Sequence, residues 1–260
     1  MLRKAHDMFG FQMRATDGDI GRVEDFYFDD DQWQVRYFVV NTGSWLFGRR
    51  VLIAPQAIEA PLWEEEVLPV HLTKEMVKNS PEVDLDKPVT AQMHSELHEH
   101  YGWTDLWSRP SFYTFPGSVT GVMAPPPPPG VAVMEKEMAG PAQEGAAERG
   151  DPHLRSLKAV LGYDIEATDG DIGHVEDFFV DESDWTIRYV LIDTRNWLPG
   201  RKVLISPSWV NRVNWRDSQI HVDVPRKRIE ESPEYDPAGP IQRSYETHLY
   251  EYYDVPGYWI

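Results

Sequence analysis

Apolar and polar side chains alternate along much of the chain in short runs, the pattern of half-buried β-strands. In the run WQVRYFVV every second side chain, beginning with Trp33, lies on one face of an extended segment, and Arg36 lies on the other. The aromatic run VEDFYF precedes it, and the turn-like DDDQ separates the two, which predicts a β-hairpin. The apolar strand VLIA, a further hairpin and the stretch TKEMVKNSP follow, and one or two helical turns are predicted for that stretch.

This pattern occurs twice. Residues 15–59 align with residues 167–211 without a gap, and because 24 of the 45 aligned positions are identical, the chain contains an internal duplication. Backwards the match fades near Leu2, which aligns with Leu154, and forwards it reaches the aromatic end of each copy. Each copy is the size of one small domain rather than of a solenoid repeat. Strands this short and numerous predict that each copy folds as a small β-barrel with one short helix.

The segment between the copies has a different composition. It contains a run of five prolines, which forms a semi-rigid polyproline II spacer, followed by small and polar residues. We therefore predict a mainly β protein with barrel copies at residues 1–107 and 153–260, joined by a Pro-rich, flexible linker at residues 108–152. Each copy ends in an aromatic tail, which is expected to pack on its own barrel or on the other copy.

The net charge and the amino-acid composition disfavour or exclude several classes of function. The formal net charge is −18, which disfavours direct binding of nucleic acid and adsorption to an anionic membrane. Cysteine is absent, so disulfides, iron–sulfur clusters, thiolate zinc sites and cysteine nucleophiles are excluded. The first residues, MLRKAHDMFGFQ, lack the apolar core of a signal peptide, and no apolar run is long enough to span a membrane. We expect a soluble cytoplasmic protein.

Three consecutive features of each copy resemble the PRC-barrel family. They are the motif DGDIGxVED, the aromatic hairpin that follows it, and the run GRRVLIAP or GRKVLISP. The family includes the cytoplasmic domain of the photosynthetic reaction centre H subunit and the C-terminal domain of the ribosome maturation factor RimM. The resemblance implies the barrel fold and a role in docking to other proteins, and it implies no catalytic residues. This chain lacks the membrane helix of the H subunit, and a second copy replaces the other barrel domain of RimM.

The repeated motif DGDIG is assigned a structural role. Its glycines allow positive φ angles in a turn, and its aspartates suit bonds from side chain to backbone. These positions are Asp17, Gly18 and Gly21 in the first copy, and Asp169, Gly170 and Gly173 in the second.

The acidic pairs Glu24–Asp25 and Glu176–Asp177 are the first candidates for acid–base chemistry. Adjacent residues of a strand point to opposite faces, so the two carboxylates of one pair cannot converge on one substrate. We therefore interpret them as structural and expect ion pairs of Asp25 with Arg36 and of Asp177 with Arg188.

Metal binding is the second possibility, and we predict neither a metal nor a cofactor. The acidic turns do not match the spacing of a calcium-binding EF-hand loop. His94 and His98 are four residues apart and would share a helix face, with His100 nearby, which makes these three the alternative zinc or nickel ligands. The second copy has Glu246 and Tyr250 at the positions of the first two.

The function favoured by these observations is that of a non-enzymatic docking or scaffold protein with an unidentified protein partner. Three alternatives stay open: an accessory factor of a photosynthetic or other membrane electron-transfer complex, a ribosome- or RNA-associated factor, and an enzyme or metal-dependent protein built on the histidines. The expected interaction residues are tryptophans in loops and tails, because a large apolar ring is costly to leave in water. They are Trp45, Trp107, Trp197 and Trp259.

The duplication also predicts how the copies are arranged. A barrel of about 80 residues is only marginally stable alone, and two-fold pairing would offset this. We expect the two barrels to pack as a pseudo-two-fold pair, joined through the tryptophan loops or the tails. The alternative is two separate barrels on a string.

Overall fold

A computed structural model of the protein describes residues 1–81, 89, 91–103, 153–194 and 201–259. These residues belong to two compact units. One unit combines Met1–Val77 with His153–Ile260, and the other is Lys78–Pro152. The first unit therefore contains the strands of both copies.

The first copy is built on one sheet, and the mainly β fold predicted for it is confirmed. Its strands are β1 (Leu2–Lys4), β2 (Gln12–Ala15), β3 (Gly18–Asp29), β4 (Gln34–Asn41), β5 (Arg50–Ile53) and β6 (Val67–Pro69). Their order in the sheet is β5-β4-β3-β2-β6, and β1 lies outside it. Short 3-10 turns lie at His6–Met8, Gly43–Leu46, Pro55–Ala57 and Trp63–Glu65, and helix α1 spans Lys74–Lys78. Helix α2 (Ala91–Tyr101) belongs to the second unit.

The second copy repeats this order of elements. It comprises β7 (Leu154–Ser156), α3 (Leu157–Val160), β8 (Asp164–Ala167), β9 (Gly170–Asp181), β10 (Ile187–Asp193), β11 (Lys202–Ile205), a 3-10 turn (Pro207–Trp209), β12 (Val210–Asn214), β13 (Gln219–Val222), α4 (Arg226–Glu230) and α5 (Arg243–Tyr253). The sheet order is β11-β10-β9-β8-β13-β12.

The further hairpin predicted in both copies forms fully only in the second. There β12 and β13 pair antiparallel, and Val213 lies opposite Ile220. The first copy has Pro61 at the position of Val213 and shows only isolated bridges between Ile58 and Val70 and between Leu62 and Val67. Proline lacks the backbone N–H that a ladder needs, which accounts for the difference.

The aspartates of the DGDIG motif tie each sheet to the helix that follows it. The Asp17 carboxylate accepts a hydrogen bond from the backbone N–H of Lys74, the first residue of α1, at 2.8 Å. Asp169 accepts the corresponding bond from Arg226, the first residue of α4, at 2.7 Å. A carboxylate at this place satisfies one of the N–H groups that a helix start leaves free. The structural role of these aspartates is therefore to cap the start of the following helix.

The first strand of each copy pairs with the other copy. Strand β1 lies antiparallel to β9, with Lys4 opposite Phe179, and β7 lies antiparallel to β3, with Ser156 opposite Tyr27. Because the copies are offset by 152 residues, these two pairings are equivalent, and the exchange of strands is reciprocal. Each exchanged strand covers the edge of a β-ribbon that would otherwise be open to other chains.

A second set of contacts joins the hairpin ends of the copies. The backbone N–H of Val35 donates to Trp185 O at 2.9 Å, and that of Ile187 donates to Trp33 O at 2.7 Å. Gln34 and Thr186 form an antiparallel bridge between these bonds, and they occupy equivalent positions of the two copies. The Trp185 ring lies edge-on to Phe38 with a centroid distance of 4.8 Å. These aromatic rings make the junction part of the buried core.

Asp25 and Asp177 anchor this exchange and do not pair with the arginines expected for them. Asp25 accepts hydrogen bonds from Ser156 Oγ at 2.5 Å and from the backbone N–H of Lys158 at 3.1 Å. Asp177 accepts the equivalent bond from the backbone N–H of His6 at 3.1 Å. The expected ion pairs are therefore wrong.

The arginines pair with the hairpin-end aspartates instead. Arg36 Nη2 lies 2.6 Å from Asp29 Oδ2, and Arg188 pairs with Asp181 and Asp184. In the register of β3 and β4, Asp29 faces Gln34, two residues from Arg36, and Asp25 faces Val39, three residues from Arg36. Burial opposes the charged form of Asp29, but the bond from Arg36 and the backbone N–H groups of Gln32 and Asp31 together hold its pKa below the usual value.

The burial of Asp177 makes the stability of the protein depend on pH. Burial raises the pKa of this carboxyl to about 6, although two backbone N–H groups favour the charged form. A raised pKa means that the folded protein binds the proton more tightly than the unfolded chain does. This contribution to stability is present below the usual carboxyl pKa and is lost as the pH rises to about 6.

The substitution Asp177→Asn should therefore stabilise the protein at pH 8 and leave it unchanged at pH 4. Asparagine keeps an oxygen for the N–H groups of His6 and Phe178 without a buried charge. The expected gain is up to about 3 kcal/mol in the free energy of unfolding, measured by urea denaturation at both pH values. The exposed Asp223→Asn is the control, and a gain of equal size at pH 4 and pH 8 would contradict the assignment.

Candidate docking surface

The loop between β4 and β5 is closed tightly at its base. Both the backbone N–H and the hydroxyl of Thr42 donate to Arg49 O, at 3.0 and 2.7 Å. Gly48 N–H donates to Gly43 O at 2.6 Å within the loop. Gly43 takes a φ of +60° and Gly48 one of +76°, values that glycine adopts without strain. These bonds hold the loop in one shape.

Two aromatic rings of this loop have different environments. The indole N–H of Trp45 donates to Ile20 O of the same copy at 2.6 Å, and the ammonium of Lys74 lies 4.7 Å from the ring centroid. Trp45 is therefore half-buried and anchors the loop. The Phe47 side chain is 99% exposed, and its backbone is left-handed, with φ 55°. The loop thus presents one aromatic ring to solvent.

A cleft of about 590 Å³ opens beside the loop. Its lining includes Gly43, Ser44 and Trp45 of the loop, together with Phe9 and Lys158. Lys158 belongs to the second copy and reaches this place because α3 follows the exchanged strand β7. The second copy thus contributes one residue, Lys158, to the lining of a cleft that otherwise belongs to the first copy.

The rim of the cleft carries one strong ion pair. Arg50 binds Glu24 through two parallel bonds, Nε to Oε2 at 2.8 Å and Nη2 to Oε1 at 2.9 Å. The hydrogen bond from Arg50 holds the pKa of Glu24 below its usual value. Glu24 thus binds Arg50, whereas the adjacent Asp25 binds Ser156 and Lys158 of the second copy. The two carboxylates are separated in role, as expected for adjacent strand residues.

Of the other predicted interaction residues, Trp259 packs in an aromatic cluster of its own copy. Its ring lies 5.1 Å from that of Tyr250 and 5.0 Å from that of Tyr258, and the Arg243 guanidinium is 4.3 Å from its centroid. Trp107 and Trp197 lie outside the described residues. The interaction role assigned to these tryptophans stays a prediction.

A buried polar network fixes the C-terminal tail of the second copy to its barrel. The carboxylate of Glu246, on α5, accepts hydrogen bonds from Tyr189 at 2.9 Å and from Tyr258 at 2.7 Å. Arg243 Nη1 lies 3.1 Å from its other oxygen. Burial, with the nearby carboxylate, raises the pKa of both tyrosines, so they stay protonated donors. Because these four side chains bind one another, we interpret the network as structural.

The three candidate histidines lie on α2 in the second unit. The rings of His94 and His98 stack with a centroid distance of 4.1 Å, which confirms that they share a helix face. His98 also meets the edge of Trp103 at 5.6 Å, and His100 meets Tyr101 at 4.8 Å. Metal binding by these three rings stays the alternative prediction from the sequence.

One of the acidic turns whose spacing does not fit an EF-hand loop forms a group with metal-ligand chemistry, together with a histidine of the second copy. Asp30, Asp31 and His153 place one ligand atom each within 4.8 Å of one another. They are 122 residues apart in the chain and meet only through the strand exchange. Asp30 binds His153 Nδ1 at 2.9 Å with one oxygen and Arg155 Nε at 2.9 Å with the other. Because both oxygens are engaged, we interpret the group as an ion-pair clamp on strand β7.

The comparisons with known proteins agree with this architecture. Within the part of the chain that the structure describes, none of the helices has both the length and the apolar character needed to cross a bilayer. No curated protein matches the chain. The PRC-barrel domain model matches residues 2–61 and again residues 155–229, and these segments together cover more than half of the sequence. The chain belongs to the PRC-barrel family and carries two copies of the domain.

Proposed function

We propose that the protein is a non-enzymatic docking or scaffold module of the bacterial cytoplasm, and that the loop 42–49 of the first copy is its contact surface. One observation supports this most directly, the full exposure of the Phe47 ring on a closed loop. Among the described residues few large apolar side chains are exposed; Met1 and Leu62 are the others, and both are more covered than Phe47.

The conformation of Phe47 strengthens the argument. A left-handed backbone at a residue other than glycine costs roughly 1 kcal/mol, and the exposed ring adds no packing energy within the chain. Strained, exposed residues are typical of contact sites, and aromatic residues dominate the binding energy of protein interfaces. A rigid loop also loses little conformational entropy on binding.

The docking role can take two forms, and the identity of the partner distinguishes them. A membrane-complex subunit would make the protein an accessory factor of a photosynthetic or other electron-transfer complex. A ribosomal partner would make it a ribosome-associated factor, with the protein component as the contact, since the net charge of −18 disfavours RNA.

The substitution Phe47→Ser should abolish partner binding without loss of stability. The ring makes no contact that folding needs, so the free energy of unfolding should change by less than about 0.5 kcal/mol. Partners are captured on the tagged full-length protein after crosslinking in cells of the native organism and quantified by mass spectrometry. We expect at least about a tenfold reduction in a specific partner.

Leu62→Ser is the matched control, since this apolar side chain is also exposed, at 39%, and does not line the cleft. Equal recovery of every partner by wild type and Phe47→Ser would overturn the docking assignment.

A further inference from the structure

Two cations in the cleft beside Trp45 form no ion pair within 4 Å among the described residues, although Lys158 attracts Glu24 and Asp25 from a longer distance. The Arg22 guanidinium donates to Gly10 O at 2.7 Å, and the Lys158 ammonium lies 4.8 Å from the centroid of the Phe9 ring. Neither forms an ion pair with any residue that the structure describes. The chain has 43 acidic and 25 basic residues, so a cation has an excess of possible partners. Two unpaired cations in one cleft therefore indicate an anionic ligand from outside.

The same cleft offers aromatic surface. Phe9 is half-buried, with its ring 5.4 Å from that of Phe26, and Trp45 also lines the cleft. Backbone and polar groups of Asn41, Thr42 and Ser44 line the space between them. Apolar walls with a few charged groups are the usual composition of a site that selects its ligand.

The second copy provides an internal comparison. The cleft positions Arg22 and Lys158 correspond by sequence to His174 and His6. The amides Gln12 and Asn41 correspond to Asp164 and Asp193. With neutral histidines, these four positions carry two positive charges in the first copy and two negative charges in the second. Asp19 and Glu24 also line the cleft, and they are paired with Arg14 and Arg50. The positive charge at the four compared positions is thus a property of the first copy and not of the fold.

We propose that this cleft binds a short acidic segment of the docked protein. A carboxylate of the segment binds Arg22 and Lys158, and a neighbouring apolar side chain packs between Phe9 and Trp45. The segment carries one or two carboxylates rather than a long acidic tract, because the net charge of −18 repels such a tract. Repulsion from distant charges is screened beyond about 8 Å at physiological salt, so the nearby cations decide the binding. This inference rests on the docking function proposed above and specifies its ligand.

The test uses the full-length protein and fluorescein-labelled peptides in fluorescence anisotropy titrations. The probe is Gly-Ser-Asp-Phe-Asp-Ser-Gly. One comparison peptide has lysine in place of both aspartates, and the other has serine in place of phenylalanine. We expect saturable binding of the probe and at least about tenfold weaker binding of both comparison peptides.

The variant Arg22→His with Lys158→His introduces the residues of the second copy. It should weaken probe binding by at least about tenfold, since two charge-assisted contacts are lost. The control is Arg216→His with Lys227→His, which removes the same charge from two exposed residues outside the cleft. It should change binding by less than about twofold.

Four results would overturn the inference: no saturable binding of the probe, equal binding of the lysine peptide, equal binding of the serine peptide, or equal losses in the two double variants. Flotation with phosphatidylglycerol vesicles tests the competing ligand class. Vesicle binding that depends on Arg22 and Lys158, without peptide binding, would assign the cleft to a lipid surface instead.

The partner-capture experiment distinguishes failure of the acidic-segment proposal from failure of the docking function. If Phe47→Ser still releases a partner while the probe does not bind, the acidic segment is wrong and the docking function stands.

Discussion

Replacement of Gly21 by alanine is expected to destabilise the protein by about 3 kcal/mol or more. A Cβ atom at this position would lie 2.2 Å from the backbone oxygen of Asn41 and 2.9 Å from Cα of Thr42. The obstacle is the backbone of the paired strand β4, which cannot rotate away as a side chain could. The φ of +155° at Gly21 is also one that other residues rarely adopt. Urea denaturation measures the loss.

The matched control is Gly10→Ala. Gly10 also has a positive φ, +86°, but a Cβ atom there would meet nothing within 4 Å. Its replacement should cost only the backbone strain, roughly 1 to 2 kcal/mol. At the equivalent glycine of the second copy, Gly173, an added Cβ atom would lie 2.1 Å from Asp193 O, so Gly173→Ala should behave like Gly21→Ala. Equal losses of unfolding free energy for Gly10→Ala and Gly21→Ala would show that the close approach of Gly21 to β4 does not affect stability.

The internal duplication made most of the fold predictable from the sequence. The alternation that begins at Trp33 places the core side chains of β4 correctly, since Val35, Tyr37 and Val39 are all buried. The neighbouring Phe38 and Val40 are buried as well, so this strand is covered on both faces. Alternation alone underestimates burial when a second copy covers the outer face. The DGDIG glycines were correctly identified, because positive φ is a local property.

The strand exchange was not predictable from local patterns. The exchanged strands, LRK at β1 and LRS at β7, are three residues long and show no alternation. Their partners, β9 and β3, are more than 100 residues away in the chain. The same distance explains the error at Asp25: its partners Ser156 and Lys158 come from the other copy, whereas Arg36 lies on the neighbouring strand of the same hairpin.

The candidate site was predicted only in part. The loop was identified through Trp45, on the argument that a large ring is costly to leave in water. The structure places that ring against its own copy and leaves Phe47 exposed two residues later. The sequence motif WLFG contains both rings, and which one turns outward depends on the left-handed backbone at Phe47. Such a conformation is set by loop closure and not by residue preference.

Cleavage of the linker is expected to leave the two copies bound to each other. Residues 125–129, the proline run, are replaced by a protease recognition sequence, and the folded protein is then cut. Reciprocal pairing of β1 with β9 and of β7 with β3, with the hairpin contacts at Trp33 and Trp185, should hold the fragments together. Both fragments should elute together from a size-exclusion column at the volume of the uncut chain.

The cut should still reduce stability, and the form of the loss distinguishes an exchanged pair from independent barrels. A linker gives the two copies an effective concentration on the order of millimolar, so at about 10 µM the cut complex should lose roughly 2 to 3 kcal/mol. Its melting temperature should then rise with protein concentration, because unfolding has become dissociation, while that of the uncut chain should not. Fragments that elute separately, or that melt at a temperature independent of concentration, would show that each barrel is stable alone and that the exchanged strands contribute little.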